Sequence, residues 1–139
     1  MYTVRRPIEF KKFEIEGTYV LEINNVLIQE NNFPDKDAQE LGIDVKAQRL
    51  SLSLTEASGQ TGWFTIYSNL NKTTMSFDFN QNQMNIISQA IEIPVGTNFA
   101  TIEDWINFIK GKSIKADVEI NDAGYPVFNN IRSLTGGAF

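Results

Sequence analysis

Apolar and polar residues alternate with period two along several stretches of this chain and change to a spacing of three and four in its middle. Neighbouring side chains of a strand point to opposite faces, whereas residues three and four apart share one face of a helix. After Gly17, the residues Tyr19, Leu21 and Ile23 face one way. Asn24-Asn25 interrupts the alternation, which resumes with Val26 and Ile28. An extra residue there predicts a β-bulge, a common means of bending a strand around a small barrel. Val45 to Glu56 is a second strand, with Leu50, Leu52 and Leu54 on one face and Arg49, Ser51, Ser53 and Thr55 on the other. Ser58-Gly59-Gln60-Thr61-Gly62 is a turn, so the second and third strands form a hairpin. The third strand begins at Gly62 and sends Phe64 and Ile66 to the core. Trp63, Thr65 and Tyr67 share its other face. That face has more apolar surface than a solvated strand needs. Such a platform can stack bases, cover a partner or pack under a helix.

Residues 69–74 read as a loop. From Phe79 the spacing of Met84, Ile87 and Ile91 predicts a helix, and Pro94-Val95-Gly96 ends it. A second short helix follows. Thr101 suits its N-cap, Glu103 and Asp104 its first turn, and Lys110-Gly111 its end. Its apolar face is Ile102, Trp105, Ile106 and Ile109, which places Trp105 in the core. Ser113 to Ile120 is a fourth strand, with Ile114, Ala116, Val118 and Ile120 inside. Asn121-Asp122-Ala123-Gly124 is a strong turn signal. Tyr125 to Arg132 is a fifth strand, and Pro126 confines it to an edge or a strand start. Strict alternation groups Val127 with Ile131 and sends Phe128 and Arg132 to the opposite face.

Three strands, a helical insert and two further strands make a mainly β chain of α+β class. The order predicts a five-stranded Greek-key barrel of the OB type, with helices between the third and fourth strands plugging one end. Another α+β packing of five strands gives the same order. The domain is expected over residues 17–134, with a basic arm over 1–16 and a flexible tail over 135–139.

Composition narrows the chemistry. The 139 residues include neither cysteine nor histidine. Disulfides, thiolate zinc sites, imidazole ligands and Ser-His or Cys-His nucleophiles are therefore absent. The start, Met1-Tyr2-Thr3-Val4-Arg5-Arg6-Pro7, has no apolar signal region, and no apolar run reaches the roughly 20 residues of a membrane helix. The expected location is the cytoplasm, that of the host cell if the chain is phage-encoded, with no membrane partner. The net charge is -5, but Glu30 to Asp44 holds five carboxylates against Lys36 alone. That polar stretch, with Pro34 and Gly42, reads as a loop with a possible helical turn near Ala38-Leu41. Outside it the balance is nearly neutral, and local patches govern association more than the total. Arg5, Arg6, Lys11 and Lys12 make the N-terminal arm basic, suited to solvation or to phosphate contact.

Gly136-Gly137 is followed by no helix and makes no phosphate loop. Asp117 and Glu119 share a strand face and can bind a metal or simply face solvent. No constellation of residues signals an active site, a cofactor or a metal centre, and a non-enzymatic role is expected. The outward groups carry the functional reading. Arg49, Trp63, Tyr67, Phe128 and Arg132 all leave the core under strict alternation. Lys72 lies just past the third strand, and Lys115 faces outward from the fourth. Rings interleaved with cations suit single-stranded nucleic acid, because bases stack on the rings and cations track phosphates.

Two stretches sharpen this reading. Gly17-Thr18-Tyr19 opens the first strand. Ile109-Lys110-Gly111-Lys112 runs into a strand, and the last hairpin ends Gly124-Tyr125-Pro126-Val127-Phe128-Asn129-Asn130-Ile131. These features resemble small phage-encoded single-stranded DNA-binding proteins of the OB type. The resemblance spans residues 17–134 and implies a sequence-tolerant replication or recombination accessory. It also implies a homo-oligomer, a dimer foremost, with replication or recombination proteins as possible partners. The rival expectation is a structural or interaction module, such as a virion component or an oligomeric adaptor, that buries the same aromatic face against protein.

Overall fold

The computed structural model describes residues 11–30, 40, 42, 47–71, 73–74 and 76–135. Six strands and two helices follow in the order β1 (Gly17–Glu30), β2 (Gln48–Thr55), β3 (Thr61–Asn71), β4 (Ser76–Phe79), α1 (Gln81–Ala90), α2 (Ile102–Ile109), β5 (Ser113–Ile120) and β6 (Pro126–Arg132). The strands form one antiparallel sheet in the order β4-β3-β2-β1-β5-β6. The long β1 pairs with β2 along its second half and with β5 along its first. The protein is therefore mainly β, with a curled, half-barrel sheet and two helices between β4 and β5.

β4 is an addition to the five expected strands. Ser76 and Asp78 alternate with Phe77 and Phe79, and the segment pairs with Ser68–Asn71, which the sequence reading placed in a loop. Four residues are too few for period two to stand out, and the helical spacing beginning at Phe79 masks them. The expected acidic loop and helical turn lie outside the described residues, Glu40 and Gly42 excepted.

The curl brings β6 back toward the start of β3, and Gly62 marks the meeting. A Cβ on Gly62 would lie 2.5 Å from Pro126 Cγ and 2.8 Å from Phe128 Cζ. A side chain there would push the two edges apart. The concave interior holds Leu21, Ile23, Leu50, Leu52, Leu54, Ile66, Ile114 and Val118, all essentially without solvent contact. α1 and α2 cap this core with Ile87, Ala90, Trp105, Ile106 and Ile109. Trp105 is buried as expected, and its indole N–H donates to Ser88 Oγ at 3.0 Å. Thr101 caps α2 through its hydroxyl, which accepts from the Asp104 N–H.

Two expectations are corrected. Residues 11–16, expected as part of a basic arm, pack with the sheet instead, because Phe13 is buried in the core. Its ring stands edge-on to Tyr19 and Phe128, with centroids 5.2 and 5.8 Å away. Lys11 is fixed by backbone hydrogen bonds to Gly59 and Thr61. Residues 1–10, with Arg5 and Arg6, and residues 136–139 of the tail lie outside the described residues. The second correction concerns β6. Its pairing with β5 slips by one residue, and Asn130 takes a positive φ of 51°. A β-bulge inserts one residue and reverses the faces that follow it. Phe128 and Ile131 consequently both face the core, three residues apart.

Candidate functional site

The convex face of β1, β2 and β3 is built from a regular register. Tyr67 stands opposite Arg49, Thr65 opposite Ser51, and Trp63 opposite Ser53. On the other side of β2, Arg49 faces Gln29, Ser51 faces Leu27, and Ser53 faces Asn25. These nine described residues include no carboxylate and one cation, Arg49, and Glu22 follows on β1 opposite Thr55.

Side-chain size gives the patch its relief. Trp63 and Tyr67 are 52% and 60% exposed, whereas Ser51 and Ser53 beside them are 6% and 5% exposed. The central strand forms a low floor between the rings and Leu27–Gln29 of β1. Ser51 Oγ donates to Gln29 Oε1 at 2.8 Å, which ties floor to rim. Trp63 and Tyr67 are four residues apart on one strand, about 13 Å at the usual rise. Ring faces at that spacing, over a shallow polar floor, can receive flat groups from a flexible chain.

The edge of β3 at Tyr67 has no strand partner, because β4 pairs only from Ser68 onward. The first turn of α1 supplies what the missing strand would. Gln83 Oε1 accepts from the Tyr67 N–H at 3.0 Å, and Gln83 Nε2 donates to the Thr65 carbonyl at 3.1 Å. The Asn80 N–H donates to the Tyr67 carbonyl at 2.8 Å. Asn80 Oδ1 in turn accepts from the Gln83 N–H and caps the helix. Backbone groups at an edge need partners of this kind. Tyr67 is therefore held by its backbone while its side chain stays free in solvent.

The structure brings Arg49, Trp63 and Tyr67 together on this patch. Lys72 lies outside the described residues. Phe128, expected among the outward rings, belongs to the core and is 7% exposed. Lys115 and Arg132 lie side by side on the other half of the convex face, over β5 and β6. Arg132 is drawn inward to 13% side-chain exposure, donates to Asp117 Oδ1 at 3.2 Å, and donates to the Asn130 carbonyl at 2.7 Å. Asp117 also accepts from the Thr18 hydroxyl at 2.7 Å and from Asn130 Nδ2 at 3.3 Å. These donors, Thr18 first, then Asn130 and Arg132, hold the Asp117 carboxyl below the usual carboxylate range. The Asp117 carboxylate is thus engaged in fixing the bulge. Among the described residues, no group of three or more acidic side chains is set to hold a metal ion.

The sequence reading missed Gln83 and the low serine floor. Gln83 carries no signal at the level of pattern, because it is one of several amides on the polar face of α1. The floor was legible in principle: the hairpin register alone sets Ser51 and Ser53 beside Thr65 and Trp63.

Compared with known proteins, the chain matches no protein-family model and no curated protein. Among the described residues, no helix is long and apolar enough to cross a membrane.

Proposed function

We propose that this protein binds single-stranded DNA, without catalysis and with little sequence preference, on an OB-type barrel in which β4 is an added edge strand. The connectivity supports the fold reading. β1 pairs with both β2 and β5, the helices fall between the first hairpin and the last, and β6 curls back to β3. The observation that carries the functional reading is the exposure of Trp63 and Tyr67 on one face of β3, with Arg49 directly opposite Tyr67 and no carboxylate among the described residues paired beside them. Large rings left in solvent on one strand call for a ligand. A base gains roughly 1–3 kcal/mol by stacking on such a ring. With Arg49 the one cation paired beside the rings among the described residues, stacking outweighs phosphate contact. Affinity should fall with salt, but by only about 0.7 in log K per decade for each phosphate neutralised. The role that fits is an accessory to replication or recombination of the phage type, acting as a homo-oligomer.

The test is titration of oligo-dT against the wild type, Trp63→Ala and Tyr67→Ala. Each variant should bind several-fold to a hundredfold more weakly and melt close to the wild type. Unchanged affinity in both variants would overturn the reading.

One observation favours an interaction module instead. Leu27 and Val20 are exposed on the same convex face, and with the two rings they offer apolar area to a protein surface. Light scattering distinguishes the two. An interaction module predicts an oligomer that dissociates in Trp63→Ala and no response to oligonucleotide.

A further inference from the structure

Beyond the rings, the convex face changes character. Asn69 and Asn71 follow Tyr67 on the same side of β3, and the β3–β4 register sets Asn69 opposite Asp78. The residues leading into α1 bring Asn80, Gln81 and Asn82 alongside. With Leu70 and Phe79, these six line an open depression of about 410 Å³, a volume within the range of small-ligand sites. It lies next to β3 at Tyr67, whose backbone carbonyl accepts from the Asn80 N–H.

The chemistry of the lining is specific. Five of the eight lining side chains are carboxamides, each with two N–H donors and a carbonyl acceptor, and two, Leu70 and Phe79, are apolar. The remaining one, Asp78, only accepts when ionised, and Asn71 Nδ2 holds it in place at 3.0 Å. Asn71 Oδ1 is occupied by the N–H groups of Thr73 and Thr74, and Asn80 Oδ1 by that of Gln83. The remaining amide donors of Asn69, Gln81 and Asn82 therefore surround one carboxylate, with no cation among the described residues of the lining. A phosphate placed here would meet the Asp78 carboxylate. A neutral ring edge with both donors and acceptors would be matched.

We propose that this depression is a nucleobase subsite that selects cytosine over thymine at the end of the strand path beyond Tyr67. The proposal rests on the reading of the convex face as a single-strand surface and adds a base preference to it. Cytosine offers its N4 amino group to a carboxylate, and its ring nitrogen and O2 accept from amide donors. Thymine presents O4 where cytosine presents the amino group, so an acceptor would face the Asp78 carboxylate.

Anisotropy titrations with labelled oligo-dC and oligo-dT of equal length test this. The wild type should bind oligo-dC about fivefold more tightly. Asp78→Ala should bring the ratio to about one by weakening oligo-dC while leaving oligo-dT unchanged or slightly tighter. Asn69→Ala, at an exposed hairpin position, should lower the ratio without a change in melting temperature, and it serves if Asp78→Ala folds poorly. Equal affinities in the wild type, together with a loss on both strands in Trp63→Ala, would overturn the subsite and leave the proposed function standing. A preference that survives both Asp78→Ala and Asn69→Ala would also overturn it. Failure to bind either strand would sink both readings.

Discussion

The convex surface has two halves that look alike in sequence and behave differently in three dimensions. Over β2 and β3, alternation is unbroken, and every second residue from Arg49 to Thr55 and from Trp63 to Tyr67 points outward. Rings remain exposed there and carboxylates are absent. Over β5 and β6, the slip at Asn130 turns Phe128 inward, and Asp117 holds Arg132. One half leaves its rings in solvent, and the other spends a ring and a cation on its own structure. An aromatic or a cation in a strand thus gains meaning from its parity relative to the nearest bulge as well as from its type.

Exchanging the rings for alanine should break this comparison most visibly. Phe128→Ala should cost about 3–5 kcal/mol of stability, as expected for a buried ring, measured by chemical denaturation, with the remaining folded protein still binding oligo-dT. Trp63→Ala should do the reverse, leaving stability within about 0.5 kcal/mol while weakening oligo-dT binding by about 1–3 kcal/mol. Similar melting losses for both would erase the distinction between the halves.

Next in size is the closure and bracing of the binding half. Gly62→Ala forces a Cβ against Pro126 and Phe128 and should cost about 1–3 kcal/mol as an overpacking change, read from the denaturation midpoint. Gln83→Ala removes both side-chain hydrogen bonds to β3 and should cost about 1–2 kcal/mol. Its amide-exchange protection should fall at Tyr67 before it falls in β2.

The cations sharpen the contrast at a finer scale. Arg49→Gln should reduce the slope of log K against log salt by about 0.7, whereas Arg132→Gln should leave the slope unchanged. The smallest effect belongs to Asp117. Its carboxyl is held below its ordinary value in the folded protein, so its contribution is present above the unfolded value and disappears as pH falls through the folded one. The melting-temperature gap between wild type and Asp117→Asn should therefore be full at neutral pH and close below about pH 4. A gap constant down to pH 3 would remove this role.

Much of this architecture was legible in the sequence, and the residues show why the rest was not. Leu50, Leu52 and Leu54 lie inside and Trp63 and Tyr67 outside because no bulge intervenes. The bulge in β1 was readable because Ile23 and Val26 flank Asn24-Asn25 with no competing apolar residue. β6 carries the same arrangement, Phe128 and Ile131 around Asn129-Asn130. There Val127 offered an alternative partner for Ile131, and strict parity then sent Phe128 outward. Asn tolerates the left-handed backbone that such a bulge needs, so paired asparagines between apolar residues three apart are the signal to weigh. Phe13 was hidden by the charges around it, Lys11, Lys12 and Glu14, which suggested a solvated arm. Gln83 was hidden because an amide bracing a strand edge is recognisable only once that edge is known.

The account depends most on the rings receiving bases. Trp63 is exposed and Trp105 is buried, so tryptophan emission reports the convex face against an internal reference. Titration with oligo-dT should quench part of the emission saturably, less so at high salt, and Trp63→Phe should abolish the quenching while the Trp105 emission persists. Emission unchanged by saturating oligo-dT at low salt, or quenching that survives Trp63→Phe, would contradict the account.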